Sequence, residues 1–399
     1  MRQLYLAATG QNRGKTTAAL GLLDGFVGEG LHTAFMKPVG QRTVIEDGVP
    51  ADEDAVLVRD VFGLPEPLID MSPVHIPRGF TKAYIQGAVV DDLAGRIRDA
   101  HATFGGHDIL LIEGTGHAGV GAVIGLSNAA VAALLEAPAV IVSEGGVGRP
   151  IDEIVLNASL FAAHGVEVAG AIVNKVDLDA QPSLPGILER GLGRHGIPLL
   201  GVLPVRPILS NPTLSMVLEG VGGETVHPGP DLARVIDDVA IGAMEPGHML
   251  ERIGPGTLVI VPGDREDAIL SIATAHLVGP PRGATRADVA ALGRPRPGAG
   301  EAHRAADRPA VGLILTGGYR PRDAVIDAVR RAEIFCTIVD ADTYVVASEV
   351  HDLLVKTHPA DRDKIALIKR LVAEFLDIDR ILAVATAPDE VGQGMKAGR

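Results

Sequence analysis

The chain has 399 residues, of which 47% are hydrophobic, and a formal net charge of −14. The length predicts two or three domains, and the negative charge argues against nucleic acid and anionic membranes as general partners. A single cysteine allows no intrachain disulfide, which is typical of a reducing cytoplasm. No apolar run reaches the roughly 20 residues that span a bilayer, and the start of the chain lacks the pattern of a signal peptide. We therefore expect a cytoplasmic protein.

The first stretch of the chain predicts a phosphate-binding loop. An apolar run, Leu4–Ala8, predicts a strand, and a helical pattern begins after the segment Gly14-Lys15-Thr16. In such a loop the backbone N–H groups and the lysine contact phosphates, while the threonine binds Mg²⁺. The match is imperfect because Thr9 replaces the usual first glycine, and Arg13 could either touch a terminal phosphate or point into solvent. The predicted nucleotide-binding residues here are Gly10, Gln11, Asn12, Arg13, Gly14, Lys15, Thr16 and Thr17.

Strands alternate with helices through the rest of residues 1–211. This alternation predicts an α/β fold, in which a mostly parallel P-loop sheet carries helices on both faces. One helix-like region covers 82–102. The further predicted strands are His32–Lys37, Asp108–Glu113, Ala139–Ser143, Val168–Val173 and Leu199–Val205.

Ligands of open α/β sheets lie beyond the carboxyl ends of the strands. Glu113 ends one predicted strand, and with Thr16 it is a candidate Mg²⁺ ligand. Asp54, on an acidic loop, is either a third ligand or a solvated residue. Lys37 could neutralise charge beside the phosphates or lie at the surface. Lys15 and Lys37 are the candidate catalytic residues.

The segment Asn174-Lys175-Val176-Asp177 follows a predicted strand and resembles the base-reading element of many GTP-binding proteins. There the asparagine contacts the purine and the aspartate reads guanine, so this segment leaves GTP open. The alternative is a capping asparagine followed by a surface aspartate. Pro204, at the end of the last predicted strand of the domain, is also a candidate nucleotide contact.

The rhythm of the sequence changes after residue 211, and 212–352 predicts a second, smaller α/β domain. Between its strands, 279–309 is rich in Gly, Pro, Ala and Arg, which predicts a flexible insertion. Residues 353–399 predict a helical extension and tail. The predicted strands are Thr257–Val261, Val311–Leu315, Phe335–Val339 and, in the extension, Ile381–Ala385; the predicted helices are 214–223, 231–241 and Arg362–Phe375.

Polar residues follow each of the three strands of the second domain. They could converge on a second ligand or phosphate site, or they could be helix caps and turns. These candidates are Asp264, Arg265, Thr316, Gly317, Gly318 and Asp342.

At the residues named above, the first domain resembles the dethiobiotin synthetase branch of P-loop proteins. The resembling segments are Ala8–Thr16, Lys37-Pro38-Val39, Asp54-Ala55, Glu113-Gly114 and Asn174, in the order of that family. The resemblance implies that the protein binds ATP and that Asn174 reads the base. It also implies a homodimer. It implies Mg²⁺ on Thr16, Asp54 and Glu113, with Lys15 and Lys37 contacting phosphate and carbamate. The sequence departs from the family pattern at Gln11-Asn12 and Gly40-Gln41, positions that face the amine substrate in that family. The resemblance therefore implies nucleotide binding more strongly than the synthetase reaction.

Residues 212–350 resemble a DRTGG domain through Gly263–Asp267 and Leu315–Gly318. The pair of domains is similar to the amino-terminal regulatory half of long phosphate acetyltransferases, and we expect no acetyltransferase catalytic domain after residue 350. The first hypothesis is therefore a nucleotide-sensing regulatory ATPase that acts on a partner metabolic enzyme. The alternative is an ATP-dependent ligase or amidoligase for an amine or a carboxylate.

Overall fold

The protein is described from a computed structural model, which defines residues 1–88, 91–278, 310–351, 353, 357–359 and 361–385. The predicted insertion 279–309 and the tail beyond 385 lie outside the described residues. The chain forms two compact units, and the first combines Met1–Val205 with the segment from Thr357 onward. The second unit is Arg206–Lys356. The chain thus returns to its first unit after the second. The sequence alone predicted residues 353–399 as an extension and did not indicate this return.

A parallel sheet forms the centre of the first unit. Its strands, with two short pairs beside it, are β1 (Arg2–Ala8), β2 (Thr33–Met36), β3 (Val39–Gly40), β4 (Thr43–Glu46), β5 (Val49–Asp52), β6 (Val74–His75), β7 (Ile109–Glu113), β8 (Ala139–Glu144), β9 (Val168–Val176) and β10 (Leu199–Pro204). Within the described residues, the sheet has six strands in the order β10-β9-β8-β1-β7-β2. The strand β7, Ile-Leu-Leu-Ile-Glu, is buried throughout, as expected where helices cover both faces.

Helices connect these strands, which confirms the predicted fold class. They are α1 (Lys15–Gly28), α2 (Glu53–Phe62), α3 (Leu68–Met71), α4 (Phe80–Ile85), α5 (Leu93–Ala102), α6 (Asn128–Leu134), α7 (Gly148–Ala163) and α8 (Leu184–Gly193). The single helix predicted over 82–102 was wrong, because the chain breaks after α4. Gly87 takes a left-handed φ of 72°, and Asp92 starts a new helix by accepting a hydrogen bond from the Gly95 N–H at 2.8 Å.

The second unit has a smaller sheet with helices on both sides. Its elements are α9 (Pro207–Ser210), α10 (Leu214–Val221), β11 (Glu224–His227), β12 (Asp238–Ile241), α11 (Pro246–Leu250), β13 (Thr257–Pro262), α12 (Glu266–Val278), β14 (Gly312–Thr316), α13 (Asp323–Arg331), β15 (Phe335–Ile338) and α14 (Thr343–His351). The strand order is β11-β15-β14-β13-β12, and β11 is antiparallel to β15 while the other pairs are parallel. The helix predicted over 231–241 was wrong: β12 pairs with β13 and extends the sheet.

Two carboxyl-terminal helices, α15 (Arg362–Phe375) and α16 (Ile378–Val384), complete the first unit. The strand predicted at 381–385 was wrong, because Asp377 caps a helix there by accepting from the Arg380 N–H at 3.0 Å. A short apolar run fits either element, and the cap decides for the helix.

The segment α15–α16 packs on the helix that follows the phosphate loop. A Cβ placed on Gly21 of α1 would lie 2.2 Å from Val372, so the two helices meet through a glycine. Lys369 pairs with Asp24 at 2.8 Å and lies 4.7 Å from the centre of the Phe62 ring on α2. The returning segment therefore contacts both α1 and α2. Across the described ranges, no helix combines the length and apolarity needed to cross a membrane.

Candidate functional site

The phosphate loop connects β1 to α1. Gly14 precedes the helix with a left-handed φ of 95°, and a Cβ there would lie 1.9 Å from Asn174 Nδ2, so only glycine fits. Lys15 begins α1 and is 8% exposed. Burial, and after it the charge of Lys37, lowers the pKa of Lys15 to about 8 although Glu113 and Asp54 oppose the shift. A bound phosphate would place a negative charge beside this ammonium and so stabilise its protonated form.

A buried ionic cluster lies beside Lys15. The Lys37 ammonium donates to Asp54 Oδ2 at 2.5 Å and to Glu113 Oε1 at 2.8 Å. The Thr16 hydroxyl lies 3.2 Å from Asp54 Oδ1 and 3.3 Å from Glu113 Oε1. Four residues selected from the sequence thus come together. They lie just after β2 (Lys37), at the start of α1 (Thr16), at the start of α2 (Asp54) and at the end of β7 (Glu113).

Burial and pairing act against each other in this cluster. Burial raises the pKa of Glu113 to about 7, although the Lys37 charge lowers it. Burial alone would lower the pKa of Lys37, but Asp54 and Glu113 hold it well above its usual value. Burial would also raise the pKa of Asp54, but Lys37 holds it below its usual range. Each charged form in this buried cluster is therefore stabilised by a neighbouring group of opposite charge.

The donor set fits Mg²⁺. Glu113 Oε2 is buried without a hydrogen-bond partner, so this oxygen is left for a cation or for water. Two carboxylates and a threonine hydroxyl are hard oxygen ligands of the kind that Mg²⁺ takes in phosphate sites. Within the described ranges no group of three or more His, Cys, Asp or Glu side chains could hold a metal. Nucleotide oxygens and water would have to complete the coordination.

The side chains of Asn174 and Lys175 donate hydrogen bonds to backbone carbonyls of the phosphate loop. Asn174 Nδ2 donates to the Arg13 carbonyl at 3.1 Å, and Lys175 Nζ donates to the Asn12 carbonyl at 2.9 Å. Asn12 and Lys175 both have left-handed φ values, 56° and 57°, which side chains rarely adopt without compensation. Asn174 lies within β9 rather than after it. That it reads the base stays a prediction.

Arg13 does not point into solvent; a contact with a terminal phosphate stays a prediction. Its guanidinium pairs with Glu144 at the end of β8 and lies 3.9 Å from Glu153 on α7, and its side chain is only 18% exposed. Lys175 also contacts Glu144, at 3.2 Å. Arg13 therefore fastens the loop to its neighbours through its side chain, while its Nε is buried without a hydrogen-bond partner.

Asn128, which the sequence did not indicate, organises the loop after β7. Its Oδ1 accepts from the Tyr5 hydroxyl at 2.8 Å and from the Thr115 N–H at 2.9 Å. Its Nδ2 donates to the Thr115 and His117 carbonyls, both at 2.7 Å. A polar residue opening a short helix has no pattern that marks it as a loop anchor, and four hydrogen bonds of one side chain become visible only in three dimensions.

We predict that Asn128→Ala destabilises the first unit by about 2–4 kcal/mol, because it leaves several buried polar groups unpaired. Tyr5→Phe removes one of those bonds and should cost only about 1 kcal/mol. Hydrogen exchange of the amides of β7 and of 114–118 measures both effects. Equal, small effects of the two variants would contradict the anchoring role.

The remaining candidates of the first unit lie around the loop. Asp177 Oδ1 accepts from the Ala180 N–H at 3.0 Å and so closes a turn. Pro204 is buried at the end of β10. Gln11 is exposed, and Thr17 is half-buried in the first turn of α1.

In the second unit, the candidate residues form caps and turns. Asp342 Oδ1 accepts from the N–H groups of Tyr344 and Val345, both at 2.9 Å, at the start of α14. Arg265 pairs with Asp267 at 2.9 Å. The hydroxyls of Thr316 and Thr343 lie 2.7 Å apart. Gly317 and Gly318 turn the chain with left-handed φ values of 83° and 68°, and Asp264 is exposed. A ligand at this edge of the sheet stays a prediction.

Two protein-family models match the chain. The family model of the AAA domain matches residues 2–213. The chain belongs to this family. A second model, that of the DRTGG domain, matches residues 216–353 of this AAA domain protein. The resemblance to a P-loop domain followed by a DRTGG domain is thereby confirmed. The described helices α15 and α16 lie beyond both matches.

Curated relatives match most of the chain. Phosphate acetyltransferase from Pseudomonas putida is 26% identical over 94% of this chain and 51% of its own length. Phosphate acetyltransferase from Deinococcus radiodurans is 29% identical over 70% of this chain and 40% of its own. The chain spans about half the length of these relatives, in agreement with the resemblance to one half of such proteins.

Solved structures are similar at low identity. The septum site-determining protein MinD from Pyrococcus horikoshii OT3, complexed with Mg-ADP, is 15% identical with a TM-score of 0.35, covering 52% of this chain and 83% of MinD. The CBS and DRTGG domains of the Clostridium perfringens pyrophosphatase, complexed with diadenosine tetraphosphate, have a TM-score of 0.26 and 15% identity, covering 41% of this chain and 60% of that one.

Proposed function

We propose that this AAA domain protein binds a Mg²⁺–nucleotide, with ATP favoured over GTP, and uses the bound state to regulate a partner metabolic enzyme. One observation carries the proposal: Thr16 contacts Asp54 and Glu113, the charges of both carboxylates act on the buried Lys15, and Glu113 Oε2 is buried without a partner. A structural loop has no need of a buried ammonium beside an unpaired carboxylate oxygen.

Each residue has a defined role in this proposal. The backbone N–H groups of the loop and the positive end of α1 would hold the outer phosphates, and Lys15 would neutralise their charge. Thr16, Asp54 and Glu113 would hold the cation. When bound, Mg²⁺ supplies charge neutralisation between phosphate oxygens. Asn174 and Lys175 keep the loop in shape from behind.

The regulatory part of the proposal is supported by the chain's similarity to about half the length of phosphate acetyltransferases. The chain then senses nucleotide in its first unit and acts on an enzyme in trans. We further propose that it does so in the cytoplasm as a homodimer. Affinity capture with the intact chain, with and without Mg·ATP, tests the partner, and sedimentation velocity tests the dimer. Capture of the same set of proteins in both nucleotide states would overturn the sensing role.

Calorimetric titration of Mg·ATP and Mg·GTP into the intact chain tests the nucleotide. We expect saturable binding of one nucleotide per chain, with ATP the tighter. Tighter GTP binding would assign guanine reading to Asp177, and the absence of binding by either nucleotide would overturn the proposal.

Nucleotide affinity should fall above pH 8. The free Lys15 has a pKa of about 8, and only its ammonium form attracts phosphate, so binding requires a proton that the free protein loses as pH rises. Affinity at pH 9 should therefore be about tenfold weaker than at pH 7. The variant Lys15→Arg does not titrate at this position, so it should lack this loss. The ratio of wild-type to variant affinity isolates Lys15 from Glu113, whose pKa of about 7 affects both proteins. An unchanged wild-type affinity over that range would contradict the role of Lys15.

A further inference from the structure

The Lys37 ammonium lies between the two carboxylates that would hold the metal. It is hydrogen-bonded to Asp54 at 2.5 Å and to Glu113 at 2.8 Å, and its side chain is only 4% exposed. Two carboxylates in a buried site require positive charge close by. Here that charge comes from a side chain of the protein itself.

Two ammonium groups and two carboxylates form the inner cluster. When all four are ionised, Lys15 and Lys37 carry two positive charges, and Asp54 and Glu113 carry two negative ones. The neighbouring Asp52 accepts from the backbone N–H groups of Gln41, Arg42 and Asp54 at 3.1–3.3 Å. The side chain of Arg42 pairs with Glu53 at 3.2 Å. The backbone N–H groups at Asp52 carry no formal charge, so Asp52 adds a third carboxylate whose charge also acts on Lys37.

We infer that Lys37 is an internal counter-ion, which prevents the Asp54–Glu113 pair from binding a free divalent cation and so makes metal and nucleotide phosphate bind together. The inference rests on the proposed function, because it assigns a further role within the same site. A divalent cation alone would meet the Lys37 ammonium, which already occupies both carboxylates and would repel it. A polyphosphate alone would face two carboxylates. Together the two ligands offset each other.

This role differs from a phosphate contact. A lysine that only contacts phosphate would have no effect on metal binding in the absence of nucleotide. A counter-ion would decide the affinity of the carboxylate pair for any divalent cation. The two roles are therefore separated by a measurement without nucleotide.

The test is titration of Mn²⁺ alone, followed by electron paramagnetic resonance and competed with Mg²⁺. Nucleotide-free wild-type protein should bind Mn²⁺ only weakly at this site. Lys37→Met removes the charge and should bind free Mn²⁺ at least about tenfold more tightly. Lys37→Arg keeps the charge and should behave like the wild type. In Lys37→Met/Glu113→Gln the gain should disappear, which locates it at the carboxylate pair.

Three outcomes would overturn the inference: equal affinity of Lys37→Met and wild type for free Mn²⁺, a gain that survives Glu113→Gln, or tight binding of free Mn²⁺ by the wild type. The last needs no variant, so it remains decisive if Lys37→Met does not fold. Failure of the proposed function is recognised separately, because wild-type protein would then bind neither Mg·ATP nor Mg·GTP while the comparison of free-metal affinities would still stand.

Discussion

Replacing Lys15 with Met should weaken Mg²⁺–nucleotide binding at least about 100-fold, without unfolding the protein. The loss follows from removing a buried cation from a polyphosphate, a change that costs about 2–5 kcal/mol when a charge partner is deleted. Calorimetry of the nucleotide that the wild type binds measures it. Lys82→Met, which removes an exposed lysine of α4, is the matched control and should leave the affinity unchanged.

The stability of Lys15→Met separates a lost contact from a lost fold. Burial depresses the pKa of Lys15 from 10.5 to about 8, so below pH 8 the folded state carries a charge that the unfolded state accommodates better. This penalty fades as pH rises from 8 through 10.5, because the unfolded chain then also loses the proton. At pH 7 the Met variant escapes the penalty and should be at least as stable as the wild type. A destabilised variant, or one that binds nucleotide normally, would contradict the assignment of Lys15 as the phosphate lysine.

Much of the first unit could be predicted because its signals are local. Each buried parallel strand is a short aliphatic run, and its end marks a position at one edge of the sheet. Glu113 and the phosphate loop were found in this way. Lys37 was found in the same way, at the end of the strand predicted over 32–37. Asp54 came from an acidic loop, and the resemblance to a known family, rather than its spacing, placed it with Glu113.

The long-range contacts of individual side chains could not be predicted. Asn128, Lys175 and Glu144 hold the loops through single side chains whose partners lie elsewhere in the chain. In the second unit, β12 was mistaken for a helix because three or four apolar residues in a short window fit both periods. Its pairing with β13 decides the matter, and pairing is not a local property.

The return of α15 and α16 to the first unit was also hidden, although α1 contained a clue. Gly21 and Gly25 lie in the interior of a helix, where glycine costs about 1 kcal/mol relative to alanine. Such a cost is tolerated where another element must approach closely. A Cβ on Gly21 would lie 2.2 Å from Val372, and one on Gly25 would lie 3.0 Å from Ile378. The amphipathic pattern of α15 predicts that one face is covered, but it does not identify the partner helix.

Gly21→Ala should therefore destabilise the first unit by about 1–3 kcal/mol, even though alanine is the better helix former. The new methyl group meets the Cβ of Val372 as well as its γ carbons, so the helices must separate. Gly28→Ala is the matched control in the same helix, since nothing lies within 4 Å of its Cβ position, and it should be neutral or slightly stabilising. Urea-dependent hydrogen exchange of the α1 amides reports on this unit alone, which matters because a chain of two units need not unfold in one step.

A double-mutant cycle tests the contact itself. Val372→Gly alone removes a buried side chain and should cost about 3 kcal/mol. Combined with Gly21→Ala, it moves the glycine from α1 to α15 and makes room for the new methyl group, so the double variant should be more stable than the sum of the single effects by about 1–3 kcal/mol. Strict additivity, or a stabilising Gly21→Ala, would mean that α15 does not rest on α1. The helices beyond both family matches would then have no part in the unit that contains the phosphate loop.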